Sequence, residues 1–63
     1  MARITQNQKN LALAGARGFL RLERRGHDLA DWLAFKLGTS RRIARELAEY
    51  AEAELRKSSE WTL

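Results

Sequence analysis

The chain has 63 residues, which allow a single domain, 1–63, whose core alone seldom supplies more than about 3–5 kcal/mol of stability. The absence of cysteine and the presence of only one histidine exclude a disulfide framework and a zinc site, and we expect neither a metal nor a cofactor. No apolar run approaches the roughly 20 residues of a membrane span and no secretory pattern opens the chain, so we expect a cytoplasmic protein without membrane association.

The net charge of +4 is unevenly distributed. Residues 1–45 contain ten Lys or Arg and three Asp or Glu, a charge of +7, whereas residues 46–63 contain two basic and five acidic residues, a charge of −3. Nine of the twelve basic residues are arginines, whose planar guanidinium suits bidentate contact with phosphate or guanine. This basic excess favours a polyanionic partner.

The chain lacks proline and is rich in Ala, Leu, Arg and Glu, which predicts an all-α fold of three helices. Because the core is small, we expect a homodimer. Nothing in residues 1–4 would hold them in place, so we expect a flexible arm, in which Arg3 is either disordered or inserted into a minor groove.

The first helix is predicted to begin after Thr5, which forms a capping-box spacing with Gln8, and to run to Arg25, with Gly26 ending it. Two glycines, at 15 and 18, lie in its middle and each costs about 1 kcal/mol relative to alanine. They indicate a close helix crossing, within the chain or across a dimer, or else a weakened or kinked helix. One face carries a basic stripe that is either solvated or in contact with nucleic acid. The stripe contains Arg17, Arg21, Arg24 and Arg25.

Asp28 can cap a second helix that Gly38 ends, and His27 in the preceding turn is expected to be a capping or exposed residue. Leucines repeat on one stripe of this helix, with aromatic residues to either side, and we expect this surface to be core. A base-stacking role for the tryptophan is the alternative. The predicted core residues are Leu29, Trp32, Leu33, Phe35 and Leu37.

Thr39 or Ser40 can cap a third helix that is predicted to run to about Lys57. Its apolar seam repeats every four residues at Ile43, Leu47, Ala51 and Leu55. Its acidic second half is expected to project beyond the second helix and to form a dimer contact. The tail, 58–63, either folds back, docks on a partner chain or is disordered. The residues assigned to core or dimer are Leu47, Tyr50, Ala51, Leu55 and Trp61.

Three arginines, Arg41, Arg42 and Arg45, begin the third helix, and glutamates follow them. This order opposes the helix dipole, which costs about 0.3–1 kcal/mol for each exposed charge so placed. A bound phosphate would account for it, because helix N–H groups and guanidinium groups would then face the same anion. The alternative is a pair of surface ion pairs, from Arg42 and Arg45 to the glutamates four residues later.

Residues 30–47 resemble the helix-turn-helix of phage and plasmid repressors. In that family a small residue precedes the turn glycine by four positions, which Ala34 and Gly38 match, and Leu47 matches a later apolar position. The family's aliphatic position falls on Ala44, one residue after Ile43, so the turn would be one residue shorter than in the family.

The resemblance implies that the third helix is a recognition helix whose N-terminal arginines read guanine or bind phosphates, with Thr39 and Ser40 donating to phosphates at the same edge. We therefore expect a small dimeric DNA-binding transcriptional regulator of phage or mobile-element type. The alternative is a protein-interaction module, such as a phage-type inhibitor or adaptor of a host protein. Structured RNA is a further possible ligand. No nucleophile, acid pair or glycine-rich phosphate loop indicates an enzyme.

Overall fold

The first helix begins at a reciprocal pair of hydrogen bonds in the computed structural model, which describes residues 4–22 and 28–62. The Gln8 backbone N–H donates to the Thr5 hydroxyl (3.1 Å) and the Thr5 N–H donates to Gln8 Oε1 (2.8 Å), which confirms the predicted capping box. Helix α1 spans Gln6–Arg21.

The end of α1 differs from the prediction, which placed it at Arg25. The C-cap is Leu22, and Arg24, Arg25 and Gly26 lie outside the described residues. Extension would place Arg21 and Arg25 four residues apart as a repulsive pair. With the end at Arg21, that side chain instead lies in the last turn, where a cation interacts favourably with the helix dipole.

Helices α2, Leu29–Leu37, and α3, Arg41–Lys57, are joined by three residues. The Asp28 carboxylate caps α2 by accepting from the Ala30 N–H (3.2 Å). Gly38 ends α2 in the left-handed conformation (φ 63°), and the Ser40 hydroxyl caps α3 by accepting from the Ile43 N–H (3.4 Å). The two caps and the turn glycine confirm the predicted boundaries.

The three helices surround one core, and no strand occurs in the part of the chain described. The largest fully buried side chains of this core are Phe19, Leu33, Leu47 and Leu55, so each helix contributes at least one. Alanines fill the spaces between them and, with their single methyl groups, let the helices approach closely. The fully buried alanines are Ala12, Ala16, Ala44 and Ala51.

Gly15 lies where α2 crosses α1. A Cβ atom at this position would be 2.8 Å from Leu33 Cδ2, closer than real Cβ contacts allow, and the Trp32 indole N–H donates to the Gly15 carbonyl oxygen (2.9 Å). The glycine therefore permits an internal close crossing, as predicted. At Gly18 a Cβ would meet no described residue within 4 Å, so the crossing does not explain that glycine.

Two apolar residues occupy other positions than predicted. Phe35 is 81% exposed, because it lies about 200° around α2 from the buried Leu33. Ala44, rather than Ile43, is fully buried in α3, and Ile43 packs only partly against the core. The buried positions 44, 47, 51 and 55 are spaced by three, four and four residues, which follows the 3.6-residue period more closely than a strict repeat of four.

The end of α3 turns back on itself. The Glu60 N–H donates to the Leu55 carbonyl (2.8 Å) and the Ser59 N–H donates to the Arg56 carbonyl (3.1 Å), with Ser59 left-handed at φ 61°. These two bonds form a Schellman motif. Trp61 then packs against the core, so the described part of the tail folds back.

The prediction that the second half of α3 projects beyond the other helices is wrong for its apolar side. Ala51 and Leu55 are fully buried, because α1 packs along α3 and Trp61 covers the core from the tail.

Candidate nucleic-acid interface

Three exposed arginines occupy the first two turns of α3. Since each residue advances about 100° around the helix, Arg41, Arg45 and Arg42 lie within about 100° of arc and share one surface. The structure thus brings together the three arginines that the sequence assigned to an anion site. We call these three residues the arginine cluster.

One member of the cluster is held by a carboxylate of the neighbouring helix. Arg41 Nη2 lies 2.6 Å from Asp31 Oδ1, and the two side chains are 76% and 48% exposed. Asp31 stands in the first turn of α2, where a negative charge is favourable. The pair joins the start of α2 to the start of α3. Its exposure keeps its stabilising effect small, of the order of 0.2–1 kcal/mol.

The other two members, Arg42 and Arg45, make no ion pair with any described residue. The predicted alternative, pairing with Glu46 and Glu49 four residues later, is not adopted: the ion pairs along α3 are Arg56–Glu52 (3.1 Å) and Lys57–Glu54 (3.7 Å). Both cluster arginines are exposed. Their guanidinium donors are available to an external acceptor.

The cluster has an acidic border on the α2 side. A cavity of about 100 Å³ is lined by Asp28, Asp31, Arg41 and Arg45, together with Ala30. An anion in this cavity would meet two carboxylates as well as two guanidinium groups. The outer side of the cluster, at Arg42, is therefore better placed to meet a phosphate than the side that faces α2.

The two hydroxyl residues before α3 differ in availability. The Ser40 oxygen accepts the capping bond from Ile43 N–H, which leaves its hydroxyl proton free to be donated. Thr39 is half-buried, and its backbone N–H donates to the Ala34 carbonyl (3.3 Å). Of the two, Ser40 is the exposed residue at the edge of the arginine cluster.

The predicted basic stripe on α1 lies apart from the cluster. Arg17 is held by Glu60, with Nε–Oε1 at 2.9 Å and Nη2–Oε2 at 3.3 Å, and Glu60 is bonded to Leu55 near the end of α3. The fourteen residues from Arg41 to Leu55 correspond to roughly 20 Å of helix. Arg21 is exposed, and Arg24 and Arg25 lie outside the described residues.

The bond between Arg17 and Glu60 shifts both groups toward their charged forms. The hydrogen bonds from Arg17 and Ser58 lower the pKa of Glu60. The bond to Glu60 raises the pKa of the Arg17 guanidinium. The Ser58 hydroxyl donates to Glu60 Oε2 (2.6 Å) within the tail, and the Arg17–Glu60 pair joins the tail to α1.

The residues assigned to core or dimer fall into two groups. Leu47, Ala51 and Leu55 are fully buried inside one chain. Tyr50 and Trp61 are half-buried under cations, with Lys9 Nζ 5.3 Å from the Tyr50 ring centre and the Arg56 guanidinium carbon 5.6 Å from that of Trp61. The first group is therefore closed to a partner chain.

Two features of the exposed surface were not predicted from the sequence. The Asp31–Arg41 pair joins residues of different helices, so no i,i+4 spacing predicts it. The exposure of Phe35 could have been inferred, since its position on α2 opposes the leucine stripe. Leu11 and Leu22 are further exposed apolar residues, at 47% and 55%.

Within residues 4–22 and 28–62, no group of three or more His, Cys, Asp or Glu side chains is arranged to hold a metal ion. Among the helices described, none has the length and apolarity to cross a membrane. Comparisons of the chain with protein-family models, with curated proteins and with solved structures found no match.

Proposed function

We propose that this protein binds duplex DNA through the first two turns of α3, as a small transcriptional regulator of phage or mobile-element type. The observation that carries the proposal is the state of Arg42 and Arg45. Both side chains are exposed and have no carboxylate partner among the described residues, although Glu46 and Glu49 stand four residues further along the helix.

The dimensions of α3 support the same proposal. Seventeen residues give a helix about 25 Å long and, with its side chains, 10–12 Å wide, close to the width of about 12 Å of the DNA major groove. The arginine cluster lies at one end of this helix and the buried seam faces the other two helices. A helix so placed can present its arginines to base edges and phosphates together.

The test is the salt dependence of duplex binding. Fluorescence anisotropy with a random duplex pool between about 50 and 200 mM salt should give a log–log slope of about −0.9 for each phosphate contacted. Arg42→Ala and Arg45→Ala should each reduce that slope by about one unit. Arg56→Ala is the matched control, since Arg56 is paired with Glu52 at the far end of α3. Undetectable duplex DNA binding at about 50 mM salt would reject the proposal. Stronger binding to duplex RNA than to duplex DNA would identify RNA as the ligand.

We also propose that the protein acts as a homodimer. The fully buried part of the α3 seam is occupied within the chain, so the contact must use another surface. Leu11 lies in α1 and Leu22 is its C-cap residue, and their separation of eleven residues, about three turns, places them on the same side. Their exposure and the open space beside Gly18 on that side leave room for a second copy.

A second candidate function, docking on a host protein, is favoured by Phe35. An aromatic side chain that is 81% exposed is a typical anchor for a protein partner. Phe35→Ala separates the two functions. The docking function would be supported if Phe35→Ala no longer captured a host protein that the wild type captures from nuclease-treated lysate. Duplex DNA binding by Phe35→Ala should then equal that of the wild type.

A further inference from the structure

We infer that Asp31 is a positioning residue that directs Arg41 to a neutral acceptor on a base edge, the O6 and N7 atoms of guanine, while Arg42 and Arg45 bind phosphates. This inference rests on the proposed DNA binding and assigns different tasks within the arginine cluster. The observation behind it is that one arginine of the three is held by a carboxylate and the other two are not.

The charge of the pair argues against a phosphate contact by Arg41. Asp31 Oδ1 lies 2.6 Å from Arg41 Nη2, so the guanidinium charge is compensated before any ligand arrives. A compensated cation attracts a phosphate weakly and releases few counterions. Asp31 is itself 48% exposed and would repel a phosphate placed against Arg41. Arg42 forms no ion pair with any described carboxylate.

The donors of the pair argue for a base contact. A guanidinium carries five N–H donors, and the single contact with Asp31 engages one nitrogen, Nη2. The side chain is 76% exposed, so solvent can reach the other guanidinium nitrogens. Guanine offers two uncharged acceptors in the major groove, and arginine contacts them in a bidentate manner. Because the contact with Asp31 favours one position of the Arg41 side chain before DNA binds, we expect less conformational freedom to be lost when these bonds form.

The experiment measures base preference and salt slope on the full chain. A preferred duplex is first enriched from a random pool, and its guanines are then replaced one at a time by 7-deazaguanine, which lacks the N7 acceptor. We expect one replacement to weaken binding of the wild type about tenfold and to have little effect on Arg41→Ala. Arg41→Ala should keep nearly the wild-type salt slope, in contrast to Arg42→Ala.

Asp31→Ala tests the positioning role directly. It should reduce the effect of that 7-deazaguanine to about threefold or less and make the salt slope steeper, because Arg41 regains an uncompensated charge. Glu46→Ala is the matched control: it removes one negative charge from the same surface but breaks no ion pair among the described residues, so it should leave the base preference unchanged. Circular dichroism verifies that each variant is folded, and Asp31→Asn replaces Asp31→Ala if the latter loses helix.

Three results would overturn the inference. One is a wild type that binds the duplex but tolerates every 7-deazaguanine. Another is an Asp31 variant with the wild-type slope and base preference. The third is an Arg41→Ala slope reduced as much as that of Arg42→Ala. In each of these cases wild-type DNA binding persists, so the proposed function stands, whereas absent duplex binding would reject both proposals.

Discussion

The Trp32 indole N–H donates to the Gly15 carbonyl oxygen across 2.9 Å, and this bond joins the middle of α2 to the middle of α1. The Trp32 ring also lies 6.3 Å from the Phe19 ring, centre to centre, at 56°. The glycine matters here because a Cβ atom at position 15 would lie only 2.8 Å from Leu33 Cδ2. Sequence position 15 therefore determines how closely these two helices approach.

Replacing the two glycines of α1 by alanine should have opposite effects. Gly15→Ala places a methyl group 2.8 Å from Leu33 Cδ2, and Leu33 is fully buried and has little room to move. The overpacking should exceed the gain in helix propensity and lower the free energy of unfolding by about 1–2 kcal/mol. The methyl group of Gly18→Ala meets no described residue, and the substitution should raise the free energy of unfolding by up to about 1 kcal/mol. Urea denaturation measures both, and a stabilised Gly15→Ala protein would contradict the crossing.

Trp32→Phe should cost about 1 kcal/mol of unfolding free energy through the lost hydrogen bond, in addition to the loss of buried ring area. Slow hydrogen exchange of the Trp32 indole proton, seen by NMR in the wild type, is the direct observation. Fast exchange of that proton in the wild type would contradict the bond.

Ser59→Gly should stabilise the protein by about 1 kcal/mol or slightly less. Ser59 holds φ at 61°, a conformation that costs a non-glycine residue about 1–2 kcal/mol, part of which the greater freedom of glycine in the unfolded chain offsets. Lys57→Gly, within the last turn of α3, is the control and should destabilise by a similar amount. Thermal unfolding followed by circular dichroism distinguishes the two. A lower melting temperature for Ser59→Gly would argue against the Schellman geometry.

Acid should release the tail before the helices unfold. The pKa of Glu60 is lower in the folded chain than the ordinary value of about 4.3, so the stabilisation by its bond to Arg17 is fully present above that value. It is lost as the pH falls through the lowered pKa. The NMR signal of the Trp61 indole, next to Glu60, should therefore shift only after the pH has fallen below the ordinary glutamate pKa of about 4.3. Glu60→Gln should abolish this titration, and an identical titration in that variant would assign it to another group.

Self-association predicts a melting temperature that depends on concentration, because association is linked to folding by mass action. A hundredfold dilution should lower the melting temperature of the wild type. Leu11→Gln, at an exposed apolar position of α1, should reduce this dependence without unfolding the monomer. The homodimer would be rejected if light scattering gave the monomer mass and the melting temperature did not change on dilution.

Local chemistry accounts for what the sequence predicted correctly in the fold. The Thr5–Gln8 box, the Asp28 and Ser40 caps and the glycine at 38 act within a few residues, and all are present in the structure. The close crossing at Gly15 was also predicted, because two glycines in a helix require a reason.

Contacts between distant residues account for what the sequence missed. The burial of Ala44 in place of Ile43 depends on how the helices are rotated against each other. The Arg41–Asp31 and Arg17–Glu60 pairs join residues that no local spacing relates. The sequence therefore identified three equivalent arginines, whereas the structure distinguishes one that is paired from two that are not.

The buried alanines between the helices bear on how this protein responds to temperature. Five of the ten buried apolar residues are alanines, so the core exposes less hydrocarbon to water on unfolding than a core of larger side chains would. Apolar exposure is the main source of the heat capacity change. For 63 residues that change should be about 0.8 kcal/mol/K or less. The stability curve should then be shallow, with a broad heat transition and little loss of stability on cooling.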